Sequence, residues 1–322
     1  MTVADITNQE ALMHVFVTGA SGWIGTAVVP ELIGAGHQVT GLARSDESAA
    51  ALAAAGALVR RGTIDDLDVV AEAAAESDGV IHLAFKHDLA FSGNMQAAAD
   101  ADRRVVETIG EALAGSGRPF VIASTFVPVP GRVATERDGL DSGPAGEDAG
   151  GGPQARAGTA QFTLGLAARN IRSSIVRLPP TVHGDGDKWF MASLVGVARD
   201  KGVSAYIGDG SNRWPAVHRL DAAHLFRLAL ENAPAGSVLH AVADEGVPIR
   251  SIAEVIGRHL DVPVVSLSPE EAAGHFGWLA AVVAIDGPTS STLTRELLGW
   301  QPVQPGLVDD LEKGHYFQTP PR

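Results

Sequence analysis

The chain has 322 residues, and hydrophobic residues make up 45% of them. That supplies a large core and excludes a mainly disordered chain. The net charge of −14 argues against a general nucleic-acid binder, and the absence of cysteine removes disulfides, Cys-ligated zinc, iron–sulfur clusters and a Cys nucleophile together.

No apolar run approaches the ~18 residues of a membrane span. Residues 1 to 12 read as a short flexible extension. They carry no positive cluster and no apolar stretch, so they do not read as a secretory signal. A cytoplasmic location is the default expectation, with no membrane and no nucleic-acid partner.

From Met13 onward, strands and helices alternate. His14 to Thr18 is an apolar strand ending in glycine. A helix follows from Gly22 to about Ala35. Gln38 to Ala43 is the second strand, Asp46 to Ala55 a helix rich in alanine, and Ala57 to Arg61 the third strand. Asp65 to Glu76 is helical, opened by acids that suit a helix N-terminus. Gly79 to Ala84 is a buried-type strand, Met95 to Ala114 a long helix and Phe120 to Ser124 a strand. Gln161 to Arg169 is a helix and Ile171 to Leu178 the next strand. This order predicts an α/β fold, a doubly wound parallel sheet of Rossmann type with helices on both faces. After about His183 the pattern becomes mixed. We assign 13–182 to a dinucleotide-binding domain and 183–322 mainly to a smaller substrate-binding region. Segments around 213–242 are expected to return to the first domain.

Gly131 to Gly158 breaks the rhythm with eight glycines and two prolines. A stretch of this length is a lid or binding loop, or a disordered insertion.

Gly19-Ala20-Ser21-Gly22-Trp23-Ile24-Gly25 follows a strand and opens a helix. Its glycines permit a tight turn and close approach of a pyrophosphate to the helix N-terminus. The bland alternative is a strand–helix packing turn. The end of the second strand selects between cofactors. The position that holds an acid in NAD sites is Ala43, followed by Arg44 and Ser45. An arginine beside a hydroxyl suits a 2′-phosphate, so NADP (NADPH) is expected over NAD. The alternative is a solvated Arg44 paired with nearby Asp46.

TGASGWIG, the GLARS strand end, GVIHLAF and FVIAST together resemble the extended short-chain dehydrogenase/reductase family, in its epimerase/dehydratase-like branch. RLPPTVHG (Arg177 to Gly184) is similar to the proline loop beside the nicotinamide, and AVHRLDAAHLF to a late segment of that family. The resemblance implies a Rossmann domain, a small substrate domain and a homodimer through two helices. It extends the expected cofactor set to Thr63, Ile64, Leu83, Ala84, Phe85 and Pro179.

The family's Tyr-xxx-Lys pair is missing. The only tyrosines are Tyr206 and Tyr316, and the residues four positions later are Gly210 and Pro320. By placement, Arg156 and Ala160 occupy the two slots. Thr125, with Ser124 as its rival, matches the family's hydroxyl position. The proton source is then something other than tyrosine, and His87 and His183 at strand ends, or a bound water, are the candidates. His82 reads as a packed core residue. Lys86, Arg213 and Trp214 are the substrate-side candidates. Arg213 could hold an anion, although a surface ion pair is the simpler reading. The run His183-Gly-Asp185-Gly-Asp187 has no remote partner, so no metal is expected.

These residues point to an NADPH-dependent reductase of a carbonyl or imine in a small organic molecule. The competing readings are a redox-inactive dinucleotide-binding sensor and a non-redox isomerase or lyase.

Overall fold

The computed structural model describes residues 12–140 and 153–318. The extension expected at 1–12 therefore lies outside the described residues, except for Leu12.

Seven strands form one parallel sheet. They are β1 (His14–Thr18), β2 (Gln38–Ala43), β3 (Leu58–Arg61), β4 (Gly79–His82), β5 (Pro119–Thr125), β6 (Arg172–Leu178) and, later in the chain, Ser237–His240. The order across the sheet is Ser237–His240, β6, β5, β4, β1, β2, β3. Sequence order reverses between β1 and β4, and the crevice at the C-terminal ends of those two strands is where such sheets bind ligands.

Side-chain alternation splits the sheet residues between two cores. Val15, Val17, Ile81, Val121 and Val176 face one cluster, while Phe16, Val80, Phe120, Ile122 and Ile175 face the other. All are buried, and full burial of such a side chain is worth roughly 1.5–3 kcal/mol. The second face is covered by α3 (Leu67–Ala75) and α5 (Met95–Leu113), whose Val70, Val105, Val106 and Ile109 lie in its core. On the first face lies α1 (Gly25–Gly34), with α2 (Asp46–Ala54) contributing Leu52 to the same core.

A short helix α4 (His87–Phe91), absent from the sequence reading, follows β4. The helix expected at 161–169 begins earlier. It is α6 (Pro153–Gly165), followed by a 3-10 turn over Leu166–Arg169. Its glycines and small residues masked the start, although proline at the first helical position was an available signal.

The 131–158 stretch is also corrected in part. Residues 131–140 form a strap bound to the C-terminal region. Ala134 exchanges backbone hydrogen bonds of 2.8 Å with Pro288 and Ser290. Glu136 accepts from the Thr294 amide at 2.8 Å and its hydroxyl at 2.7 Å. Buried polar partners of this kind explain why the strap is fixed. Residues 141–152 of that stretch lie outside the described residues.

The rest of the chain builds a smaller lobe with its own core, in which Met191, Leu194, Ile252, Ile256, Phe276 and Leu311 meet. Its strands are β7 (Thr181–His183), β8 (Ser204–Ile207), β9 (Arg213–His218), β11 (Asp244–Pro248) and β12 (Val264–Leu267); β10 is the sheet strand Ser237–His240. They form a three-stranded sheet β11-β9-β7 and a pair β12-β8. Its helices include α7 (Phe190–Lys201) and α9 (Ile249–Leu260). Helix α8 (Arg219–Asn232) instead packs on the large sheet, with Ala222, Leu225, Phe226 and Leu230 in the first-face core. It is clamped to α1 by Glu31, which accepts from Arg227 Nε at 2.8 Å.

Candidate active site at the strand ends

The turn from β1 to α1 has three glycines with different duties. Gly19 sits at φ +66°, and a Cβ there would lie 2.6 Å from the Ala84 amide nitrogen. At Gly25 a Cβ would lie 2.2 Å from the Gly19 carbonyl oxygen. Both are required by the packing of the turn itself. Gly22 is different: its Cβ would meet only the Gly19 oxygen, at 3.1 Å. It leaves an open face beside the helix N-terminus. The amides of Trp23 and Ile24 have no acceptor among the described residues, and the first turn of α1 holds no acid. Such a positive, unsatisfied end fits a pyrophosphate.

A buried relay fixes this turn against its neighbours. Thr18 Oγ1 lies 2.6 Å from His82 Nδ1, and His82 Nε2 lies 3.1 Å from Asp102 Oδ1. Both ring nitrogens are therefore engaged, Nδ1 by the threonine hydroxyl and Nε2 by the carboxylate. His82 is thus a satisfied interior residue that ties β1, β4 and α5 together.

At the end of β2, Arg44 is exposed and forms no ion pair among the described residues. Asp46, the partner suggested by adjacency, is taken by Arg61 at 2.8 Å. Arg61 also donates to the Ser45 carbonyl oxygen. The parallel register sets Arg61 beside Ala43, so two arginines flank this strand end. Ser45 caps α2 by accepting from the Ser48 amide at 3.1 Å. After β3, the Thr63 amide and hydroxyl donate to Asp66 at 2.7 and 2.9 Å, and Ile64 packs on the second core. Asp66 is held below the usual carboxylate range by those two bonds.

The ends of β4, β5 and β6 form the other half of the crevice. Leu83, Ala84 and Phe85 are half-buried, Pro179 is buried, Ser124 is buried and Thr125 is exposed. Ser124 and Thr125 point to opposite faces because strand side chains alternate. Neither hydroxyl has a hydrogen-bond partner among the described residues. Arg156, from α6, reaches over the strand ends. Its guanidinium carbon lies 4.1 Å from the Phe85 ring centroid, and Nη2 lies 3.4 Å from the Ala123 carbonyl oxygen. A cation on a desolvated ring face is favourable by about 1–2 kcal/mol. Burial lowers the Arg156 pKa, and the Asp102 carboxylate opposes that shift. His87 follows, its ring 5.1 Å from Phe85. Burial first, and the Arg156 charge second, push the His87 pKa down. Ala160 is buried in the second core.

Two expected site residues are fully buried. His183 is fully buried, with Nδ1 2.9 Å from Asp310 Oδ2 and its ring 5.4 Å from His218. The Asp310 contact ties β7 to the C-terminal part of the smaller lobe, and Nε2 has no hydrogen-bond partner among the described residues. Trp214 is also fully buried, in the core of the smaller lobe, with Nε1 donating to the Val282 carbonyl at 3.2 Å. Its apolar bulk wins over any surface role. Lys86 and Arg213 remain near the surface but are engaged. Lys86 pairs with Asp65 at 2.6 Å, and Arg213 binds Asp286 through two nitrogens at 3.1 and 3.0 Å. Among the described residues no group of three His, Asp or Glu side chains is placed to hold a metal, and no helix is long and apolar enough to cross a membrane.

Sequence order alone did not single out Arg61, since only the β2–β3 register brings it to Arg44. It placed Arg156 in the tyrosine slot but gave it no chemical role.

Comparison with known proteins supplies the remaining constraint. The model of the NAD dependent epimerase/dehydratase family matches residues 15–241. An uncharacterized protein of Schizosaccharomyces pombe is 48% identical over 307 residues, covering 95% of this chain and 100% of that protein. A 4-hydroxy-2-methyl-3-oxo-4-farnesyl-3,4-dihydroquinoline-1-oxide ketoreductase of Stigmatella aurantiaca is 26% identical over 297 residues, covering 86% of this chain and 84% of that one. Among solved structures, a dTDP-glucose 4,6-dehydratase from Streptomyces venezuelae with NAD bound superposes with a TM-score of 0.70 at 18% identity, covering 95% and 97% of the two chains.

Proposed function

The chain belongs to the NAD dependent epimerase/dehydratase family, and from that premise we propose that it is an NADPH-dependent reductase of a carbonyl or imine in a small organic molecule. The observation that carries this reading is Arg156, whose guanidinium stands over Phe85 and beside the Ala123 carbonyl at the strand ends. The glycine turn and the Trp23 and Ile24 amides would hold the pyrophosphate, and Arg44 with Arg61 would hold a 2′-phosphate. When bound, the reduced nicotinamide supplies a hydride equivalent to the carbonyl or imine carbon.

Arg156 then does what the missing tyrosine cannot. It donates N–H to the substrate oxygen and stabilises the negative charge that develops there. One such donor in a water-poor site is worth roughly 10²–10³ in rate. A guanidinium stays protonated, so it is not the proton source. Thr125, exposed at the end of β5, orients the substrate oxygen from its free hydroxyl. His87 takes a proton from solvent and passes it to the alkoxide oxygen. Its lowered pKa makes the imidazolium a strong donor that is sparsely populated at neutral pH. An imine nitrogen can instead be protonated before reduction. The family relative named as a ketoreductase supports this direction of chemistry.

The test is oxidation of NADPH by the purified protein across a panel of aldehydes, ketones and cyclic imines, with NADH alongside. Consumption that depends on substrate supports the reading. Tight cofactor binding without consumption on any member of the panel refutes it and favours the redox-inactive sensor.

A further inference from the structure

A chain of aromatic rings runs outward from Arg156 across both lobes. Phe85 meets His87 at 5.1 Å between centroids, and His87 stacks on Phe91 of α4 at 5.9 Å with an interplanar angle of 26°. From the smaller lobe, Trp189 approaches His87 at 5.0 Å and Phe91 at 5.9 Å. Trp278 approaches Phe91 at 5.5 Å and Phe190 at 5.8 Å. The outer rings are not core. Phe91, Trp189 and Trp278 keep 51%, 39% and 60% of their surface exposed. Three large rings exposed side by side mark a binding surface rather than scattered apolar residues.

Resting on the reductase reading above, we propose that this wall is the substrate subsite and that it selects flat, aromatic or conjugated carbonyl compounds. The wall is continuous with the strand ends through Phe85, so a ligand stacked on it would point its polar end at Arg156. The outer rings come from different lobes, Phe91 from α4 and Trp189 and Trp278 from the smaller lobe. A planar ligand would therefore contact both lobes at once. Stacking and edge contacts suit such a ligand, and any base or ring offers a π-face. A nucleoside diphosphate sugar fits this surface poorly. A diphosphate needs several free cations, but Lys86 is tied to Asp65 and Arg213 to Asp286; besides Arg156 over Phe85, Lys188 next to Trp189 has no ion pair among the described residues. The chain's own 141–152 segment, DSGPAGEDAGGG, has no large apolar side chain with which to cover the rings.

The test compares 2-naphthaldehyde with acetaldehyde as substrates under NADPH, in wild type, Trp278→Ala and Phe91→Ala. The wild-type protein is expected to prefer the naphthyl compound in kcat/KM. Either substitution is expected to reduce that preference about tenfold, the size of one lost aromatic contact. A preference unchanged in both variants overturns the proposal. If neither aldehyde is reduced, the reductase reading is judged on the full carbonyl and imine panel. The subsite is then decided by calorimetric titration of the NADP-loaded protein with 2-naphthylmethanol. Binding that weakens about tenfold in Trp278→Ala supports it, and no binding overturns it. UDP-glucose binding that Trp278→Ala weakens instead, or a wild-type dimer that Trp278→Ala dissociates in sedimentation, also overturns it.

Discussion

Arg156 stacks on Phe85 with 4.1 Å between guanidinium carbon and ring centroid, and the same guanidinium reaches within 3.4 Å of the Ala123 carbonyl oxygen. This places a permanent cation where three parallel strands end. Replacing it separates electrostatic stabilisation from cofactor binding. Arg156→Ala should lower kcat/KM for carbonyl reduction about 100-fold or more, with NADPH affinity within about twofold. Arg156→Lys should recover only part of the loss, because an ammonium lacks the planar fork. Stopped-flow turnover and a fluorescence titration of NADPH read the two quantities independently.

The strand-end arginines should set cofactor choice. Arg44 has no ion pair among the described residues, while Arg61 is shared with Asp46. Arg44→Ala should weaken NADPH binding by about 10–100-fold, the worth of one charge-assisted contact. NADH binding should hardly move. Arg61→Ala should give a smaller loss, since that arginine must also leave Asp46. Equal losses for NADPH and NADH in Arg44→Ala would count against a 2′-phosphate site.

The glycine turn offers a test of fold against function. A Cβ at residue 25 would sit 2.2 Å from backbone oxygen, whereas one at residue 22 would meet only the Gly19 oxygen, at 3.1 Å. Gly25→Ala should therefore destabilise the protein by about 2 kcal/mol or more in urea melts. Gly22→Ala should leave stability within about 1 kcal/mol and weaken cofactor binding at least tenfold, because its methyl group would occupy the open face.

Acid should loosen the seam between the lobes through His218. Burial first, then the neighbouring His183, push its pKa down to about 4. The folded value lies below the unfolded one, near 6.5, so the unfolded chain binds more protons between those two values. Stability is retained above pH 6.5 and falls as pH drops toward 4. This group alone accounts for at most about 3 kcal/mol of that loss. Asp310, held low by its contact with His183 against the opposing effect of burial, adds to the loss only below its ordinary value of 3.8. Urea melts at pH 7 and pH 5 should show the loss in wild type and a flatter profile in His218→Asn.

Turnover should rise as pH falls from 8 toward 6. His87 is held below its ordinary pKa by burial and by Arg156, so the protonated donor grows over that whole window. His87→Gln should remove the slope, as read from kcat profiles with a saturating aldehyde.

Much of the fold was legible in the sequence. Apolar alternation in HVFVT and GVIHLA, glycine at the strand exit, and helices between strands led to the parallel sheet without tertiary information. Local chemistry dictates those features, since period and turn geometry act within a few residues. The glycine turn between β1 and α1 was legible for the same reason, and so was the absence of a tyrosine–lysine pair, which needs only a search of the chain. What sequence could not decide was who faces whom. Arg61 reaches Arg44's strand end only through parallel pairing of β2 with β3. His183 stands at a strand end in sequence, but only the fold brings Asp310, 127 residues later, to its Nδ1. Trp214 reads the same on paper whether it faces substrate or the core. Phe91, Trp189 and Trp278 come together only when α4 and two segments of the smaller lobe meet. Such relationships depend on contacts between residues far apart in sequence, and only the packed molecule sets those.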